Sequence, residues 1–134
     1  MPFVSDDRVL LIRQYRHATG GTILEAPAGK LDAGEAPEAC AARELIEETG
    51  YRAGRIEHLS SIWTTPGFTD EVIHLYSAHD LTHVGQQLED DEVIELVELP
   101  LAEAIEQVYS AELVDAKTSL ALLLAARAAG ADQA

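Results

Sequence analysis

The sequence predicts an α/β fold of the α+β kind, with a mixed β-sheet between helices in an α/β/α layer arrangement. Short apolar runs bounded by turn residues alternate along the chain with segments of helical periodicity. At 134 residues and 47% hydrophobic content, the chain suits one domain, residues 1–134, built round a single core. No repeat, low-complexity tract or linker interrupts it.

Each element has a local reason. Residues 8–14 (Arg-Val-Leu-Leu-Ile-Arg-Gln) are a short apolar run, the signature of a buried strand. Gly20 and Gly21 mark a turn, after which 22–26 reads as a second strand. Between Glu35 and Thr49 there is no glycine, and the only proline, Pro37, falls in a first turn, where a helix tolerates it. Gly50 then ends that helix in the left-handed conformation glycine allows. Segments 55–64 and 72–78 are strands joined by Thr65-Pro66-Gly67-Phe68-Thr69-Asp70, whose Pro-Gly pair suits a type II turn. Residues 92–99 alternate Val93, Glu95 and Val97 against Ile94 and Leu96, and are apolar enough for partial burial on both faces. Pro100 opens a helix carrying Leu101, Ile105 and Val108, and Asp115 caps a last helix holding Leu120, Leu123, Leu124 and Arg127.

Composition excludes several classes of function. Nine basic against 24 acidic residues give a net charge of −15, which disfavours duplex nucleic acid and anionic membranes as partners. An anionic substrate would be repelled unless metal ions and local arginines invert the field near the site. The longest apolar stretch, 120–126, is too short to span a bilayer, and the N-terminus shows no signal-peptide pattern. A single cysteine, Cys40, allows no internal disulfide and suits a reducing cytoplasm. It falls one helical turn before Glu44, yet reads as a small buried packer, because a soft thiol suits Mg²⁺ poorly.

The stretch richest in chemistry runs from Gly29 to Gly50. Glu44, Glu47 and Glu48 stand at i, i+3 and i+4 and so share a narrow helix face, with Ala39, Ala42, Leu45, Ile46 and Thr49 on the opposite face to pack into the core. Like charges at i,i+4 destabilise a helix by a few tenths of a kcal/mol each. A carboxylate cluster turned away from the core makes sense if a hard cation offsets that repulsion, and oxygen ligands favour Mg²⁺, Mn²⁺ or Ca²⁺.

The pattern of Gly29, five residues, Glu35, seven residues, then Arg43-Glu44-Leu45-Ile46-Glu47-Glu48-Thr49-Gly50 resembles the box of the Nudix hydrolases. Every polar and glycine position matches, and only Tyr51 departs, where the family usually has an aliphatic residue. The resemblance implies the Nudix α/β/α sandwich and hydrolysis of a nucleoside diphosphate linked to another group. It implies a cofactor of Mg²⁺, or Mn²⁺, with two or more ions per site. Glu44 and Glu48 would be principal ligands, Glu47 would share or bridge a second ion, and the Ala28 carbonyl would add an oxygen beside Gly29. Arg43, taken as roughly a hundred degrees round the helix from Glu47, is expected to pair with Glu35 and orient the loop. The general base is expected on the acidic run 88–92, with Glu92 preferred, Glu89 next, and Glu47 also a candidate.

Two local features resemble the ADP-ribose pyrophosphatase branch of that family. One is Pro66, 16 positions after Gly50; the other is Ile12-Arg13-Gln14-Tyr15-Arg16 followed by Glu25-Ala26-Pro27-Ala28-Gly29. The branch implies that Arg16 contacts a phosphate and that Gly67, Phe68 and Glu71 lie near the terminal ribose. It implies ADP-ribose, or a related ADP-sugar, as substrate, AMP and ribose 5-phosphate as products, and a homodimer. Only seven residues precede Arg8, so the small N-terminal β-domain usual in the branch is expected to be absent or truncated. The alternatives are hydrolysis of another nucleotide sugar, dinucleoside polyphosphate or nucleoside triphosphate, and a non-catalytic nucleotide sensor.

Overall fold

The computed structural model describes residues 1–88, 93–128 and 130. Among the described residues, eight strands and three α-helices follow one another, with a short 3₁₀ turn at His17–Thr19. The strands are β1 (Phe3–Ser5), β2 (Arg8–Arg16), β3 (Gly21–Glu25), β4 (Tyr51–Arg52), β5 (Arg55–Trp63), β6 (Val72–His79), β7 (Thr82–His83) and β8 (Ile94–Pro100). The helices are α1 (Pro37–Thr49), between β3 and β4, then α2 (Leu101–Tyr109) and α3 (Ala116–Ala128) after β8.

β2 is the centre of the larger sheet. It pairs antiparallel with β8 from Arg8↔Pro100 to Gln14↔Ile94, and on its other edge with β3 from Ile12↔Glu25 to Arg16↔Gly21. β1 takes the remaining part of that edge, through Phe3↔Val9. Val9, Leu10, Leu11 and Ile12 are all buried. Burial on both faces is why this strand reads as an unbroken apolar run. The core gathers Val9 and Leu11 with Met1, Phe3, Leu75, Leu101, Ala104, Leu113, Leu122 and Ala125.

β5 and β6 form a long antiparallel hairpin, Arg55↔His79 to Trp63↔Val72, with a register shift between His58 and Ser60. The two sheets meet at a parallel bridge between Pro2 and Ala78, where the Ala78 N–H donates to the Met1 carbonyl at 2.9 Å. Every strand ladder described is antiparallel, so the mixed character lies in this one bridge. Helix α1 packs on β5 and β6, α3 on the same hairpin and on α2, and α2 on β2 and β8. β1, β4 and β7 are two or three residues long and carry no periodicity that would mark them in the sequence.

Helix ends follow the local chemistry. Pro37 opens α1, Pro100 precedes α2, and the Asp115 carboxylate accepts the Thr118 N–H at 3.0 Å to cap α3. In α3 the buried stripe is Thr118, Ala121, Leu122, Ala125 and Ala126, while Arg127 stays exposed.

Helix α1 corrects the sequence expectation for its faces. Its buried residues are Cys40, Leu45, Glu48 and Thr49, whereas Ala39 is exposed and Ala42 only half-buried. The acidic stripe therefore does not point away from the protein. It is turned inward, because α1 lies against the 26–30 loop on one side. The 65–68 turn is a second correction. Thr65 accepts the Phe68 N–H at 3.2 Å, but Gly67 is not in the left-handed region, so the turn is not type II.

Gly50 has φ 74°, and its N–H donates to the Ile46 carbonyl at 2.8 Å. A Cβ there would come within 2.7 Å of the Gln86 nitrogen and 2.8 Å of the Gly85 carbonyl carbon. Gly50→Ala combines left-handed strain with this backbone clash, so a loss of about 2 kcal/mol or more is expected. Urea unfolding followed by circular dichroism would show it as a lowered midpoint at unchanged slope.

Candidate active site

Arg43 organises the acidic region. Its Nε and Nη2 donate to the two oxygens of Glu35, both at 2.9 Å, as a bidentate pair. Nη1 donates to Glu44 Oε1 at 2.8 Å and to Glu47 Oε2 at 2.9 Å, and Nη2 also reaches the Lys30 carbonyl at 3.1 Å. Arg43 and Glu47 are thus in direct contact. A separation of i,i+4 places two residues on one helix face, so the angular distance expected from the sequence was wrong. Glu35 in turn accepts the Asp32 N–H at 3.0 Å, which fixes the loop before α1.

The acids are held from below by backbone. Glu48 is buried at 4% exposure, and its Oε2 accepts the Ala28 N–H at 2.9 Å. A Cβ on Gly29 would lie 1.8 Å from Glu44 Oε1, so this glycine is what gives the Glu44 carboxylate its place. Cys40 is buried beneath the same loop, its thiol donating to the Lys30 carbonyl at 3.4 Å. Burial pushes that thiol up to about 11.

The far end of α1 is strapped as well. The Glu47 carbonyl accepts the Gln87 N–H at 2.9 Å, the Glu48 carbonyl accepts Gln86 Nε2 at 2.7 Å, and Gly50 accepts the Val84 N–H at 2.7 Å. These bonds satisfy carbonyls that a helix terminus leaves without internal partners.

A cleft of about 760 Å³ opens beside this region. Arg16, Ala28, Gly29, Glu44 and Glu71 line it, together with Lys30, Asp115 and Lys117. Gly67 and Phe68 do not line it, and Phe68 projects into solvent at 85% exposure. Glu71 accepts a hydrogen bond from the Thr64 hydroxyl at 2.7 Å across the mouth of the β5–β6 hairpin. Glu89 and Glu92 lie outside the described residues.

Two residues with roles here were not singled out in the sequence. Glu25, at the end of β3, is buried at 2% exposure and accepts Arg16 Nε at 2.7 Å and Lys117 Nζ at 2.6 Å. The Glu25 hydrogen bond, together with nearby acids, raises the Arg16 guanidinium above its ordinary value. One sequence signal for Lys117 existed. A cation in the first turn of a helix opposes the macrodipole and calls for local acidic partners.

The donor set suits a hard cation. Glu44, Glu47 and Glu48 offer carboxylate oxygens beside the main chain of 28–30. Among the described residues, no three histidine, cysteine or acidic groups converge on one point; Arg43 is bonded to both Glu44 and Glu47.

Arg43 holds the Glu35 carboxyl down to about 2, from an ordinary 4.5. A depressed carboxyl contributes stability that is complete above its unfolded pKa and is lost as pH falls through the folded one. The difference in thermal midpoint between the parent and Glu35→Gln should therefore be constant above about pH 4.5 and shrink between there and about pH 2. A difference that persists unchanged at the acid end would mean the Glu35 charge contributes nothing.

The NUDIX domain family model matches residues 1–122. The chain is 41% identical over 122 residues to the ADP-ribose pyrophosphatase of Bacillus subtilis (strain 168), covering 89% of this chain and 66% of that protein. It is 42% identical over 120 residues to the methanol dehydrogenase activator of Bacillus methanolicus, covering 88% and 65%, respectively. It is 40% identical over 124 residues to the GDP-mannose pyrophosphatase of Escherichia coli (strain K12), covering 85% and 64%. The chain thus spans just under two thirds of the length of these relatives. A crystal structure of an ADP compounds hydrolase superposes with a TM-score of 0.87 at 27% identity, covering 98% of this chain and 71% of that one. A match over nearly the whole chain, on a fold that sets the box acids round Arg43 and Gly29, places the protein in the NUDIX family.

Proposed function

We propose that the protein is a divalent-metal-dependent pyrophosphohydrolase that cleaves ADP-ribose, or a related ADP-sugar, to AMP and ribose 5-phosphate. The observation that carries this is the double lining of one cleft. Glu44, seated on Gly29, brings carboxylate to it, and Arg16 brings guanidinium donors, in a chain whose net charge is −15. Such a pairing serves a substrate that is both anionic and metal-chelating. The similarity to an ADP-ribose pyrophosphatase and to an ADP compounds hydrolase supports the adenosine side of the reading.

Glu44, Glu48, Glu47 and the Ala28 carbonyl would hold Mg²⁺ or Mn²⁺, as two or more ions. A bound divalent cation neutralises the diphosphate and makes water a better nucleophile near neutral pH. Arg16 donates to phosphate oxygens, and Arg43 with Glu35 keeps the loop and the helix in register. Gly67, Phe68 and Glu71 are assigned to the terminal ribose; of these, Glu71 lines the cleft. Glu92 is the proposed general base, ahead of Glu89 and Glu47. Gln87, bonded to the Glu47 carbonyl, and Ile94, paired with Gln14, bring the chain on either side of this run to the acidic helix and to β2. The single thiol is buried, which suits a reducing cytoplasm, and the homodimer of the branch is part of the proposal.

A second reading is favoured by the GDP-mannose pyrophosphatases among the relatives, namely hydrolysis of a different nucleotide sugar by the same site. A substrate panel with product identification by chromatography separates the two. ADP-ribose should yield AMP and ribose 5-phosphate, because water attacks within the diphosphate and leaves the glycosidic bond intact. No turnover of any nucleotide sugar in Mg²⁺ would refute the proposal.

Glu48→Gln should lower kcat at least ~10²-fold in saturating Mg²⁺. Excess EDTA should abolish activity while leaving the far-UV circular dichroism almost unchanged, because Leu45 and Thr49 anchor α1 through packing. Unfolding on chelation would make the ion structural.

Glu92→Gln should lower kcat by roughly 10²-fold with KM little changed, and Glu89→Gln should have a smaller effect. Normal turnover by Glu92→Gln, with Glu89→Gln or Glu47→Gln inactive, would move the base.

A further inference from the structure

Glu25 divides its two oxygens between two cations. Oε2 accepts Arg16 Nε at 2.7 Å, and Oε1 accepts Lys117 Nζ at 2.6 Å. Lys117 also donates to Asp115 Oδ1 at 2.9 Å, while the second Asp115 oxygen is taken by the Thr118 N–H at 3.0 Å. The Ala26 N–H donates to the Thr118 hydroxyl at 2.7 Å, so the end of β3 and the start of α3 are bolted together at this point. Arg16 commits only Nε to Glu25, and among the described residues its two terminal amino groups make no hydrogen bond. Both Arg16 and Lys117 line the cleft.

We propose that Lys117 is a positioning residue for phosphate binding, holding Glu25 Oε1 so that Arg16 engages Glu25 through one nitrogen and keeps its terminal amino groups for phosphate oxygens. A carboxylate and a guanidinium with no other partner settle into a bidentate pair. Glu25 is buried, and an oxygen left there without a donor is costly, so loss of Lys117 draws a second Arg16 nitrogen onto Glu25. The arginine then presents fewer donors to a ligand although none of its own atoms has changed. Lysine suits the task because its ammonium reaches Glu25 and Asp115 together from the first turn of α3.

This inference rests on the cleft binding a diphosphate, and a double-mutant cycle isolates it. ADP binding in Mg²⁺ is measured by calorimetry for the parent, Lys117→Met, Arg16→Met and the double variant, with ADP-ribose turnover measured alongside. Lys117→Met should weaken ADP at least tenfold, raise KM for ADP-ribose similarly, and leave kcat within about threefold. In the Arg16→Met background the same change should cost less than about threefold, and Lys117→Arg should restore most of the affinity. Should thermal melting show that Lys117→Met does not fold, Lys117→Gln takes its place in the cycle. Additive losses, or a parent protein that does not bind ADP, overturn the inference. A coupled cycle without turnover of any nucleotide sugar overturns the hydrolase reading alone.

Discussion

One guanidinium decides how the acidic region can exist. Arg43 uses Nε, Nη1 and Nη2 against Glu35, Glu44, Glu47 and the Lys30 carbonyl, and so ties four chain positions to one planar group. A lysine could offer the charge but not the fixed fork that meets both oxygens of Glu35 while serving the helix acids on its other edge. The loop before α1 is held at the height where Gly29 lies under Glu44, and the glycine is required because the carboxylate already fills the space of a side chain. Charge, loop path and residue size are thus settled by one interaction.

The rest of the fold supplies a rigid frame for that arrangement. Helix α1 is fixed at its start by Arg43 and its loop, and at its end by Val84, Gln86 and Gln87, whose bonds take up the last carbonyls. The β5–β6 hairpin beneath it is joined to the larger sheet by the Pro2–Ala78 bridge. The cleft borders both sheets, drawing Arg16 from β2, Glu71 from the connection just before β6 and Lys117 from α3. Such a site is positioned by regular elements, which hold side chains more closely than loops do.

What the sequence revealed was the chemistry that acts locally. The apolar run in β2, Pro37 and Gly50 at the ends of α1, and Asp115 before α3 each depend on near neighbours. The box spacing likewise announced the acids. Their direction was not legible, because the burial of Glu48 depends on the Ala28 amide, 20 positions earlier. Glu25 and Lys117 are 92 positions apart, and no local pattern joins a strand-end glutamate to a lysine in another helix. β1 was invisible because three residues carry no period, although the Phe3 side chain enters the core. Phe68, which the resemblance places near the terminal ribose, is 85% exposed and is not among the residues lining the cleft.

Cys40 gives the molecule a built-in reporter. Its thiol lies under the loop that carries Lys30, in a helix whose partners hold the acids, and it is a poor nucleophile while that packing lasts. With 6% of its surface exposed, it reacts slowly with alkylating reagents until α1 and the loop part company. The rate at which the native protein is labelled therefore measures the free energy of a local opening, which global melting does not resolve. Ligands that tighten the acidic helix against its loop would slow the labelling, and so disclose their binding through a thiol that is no part of the acidic set.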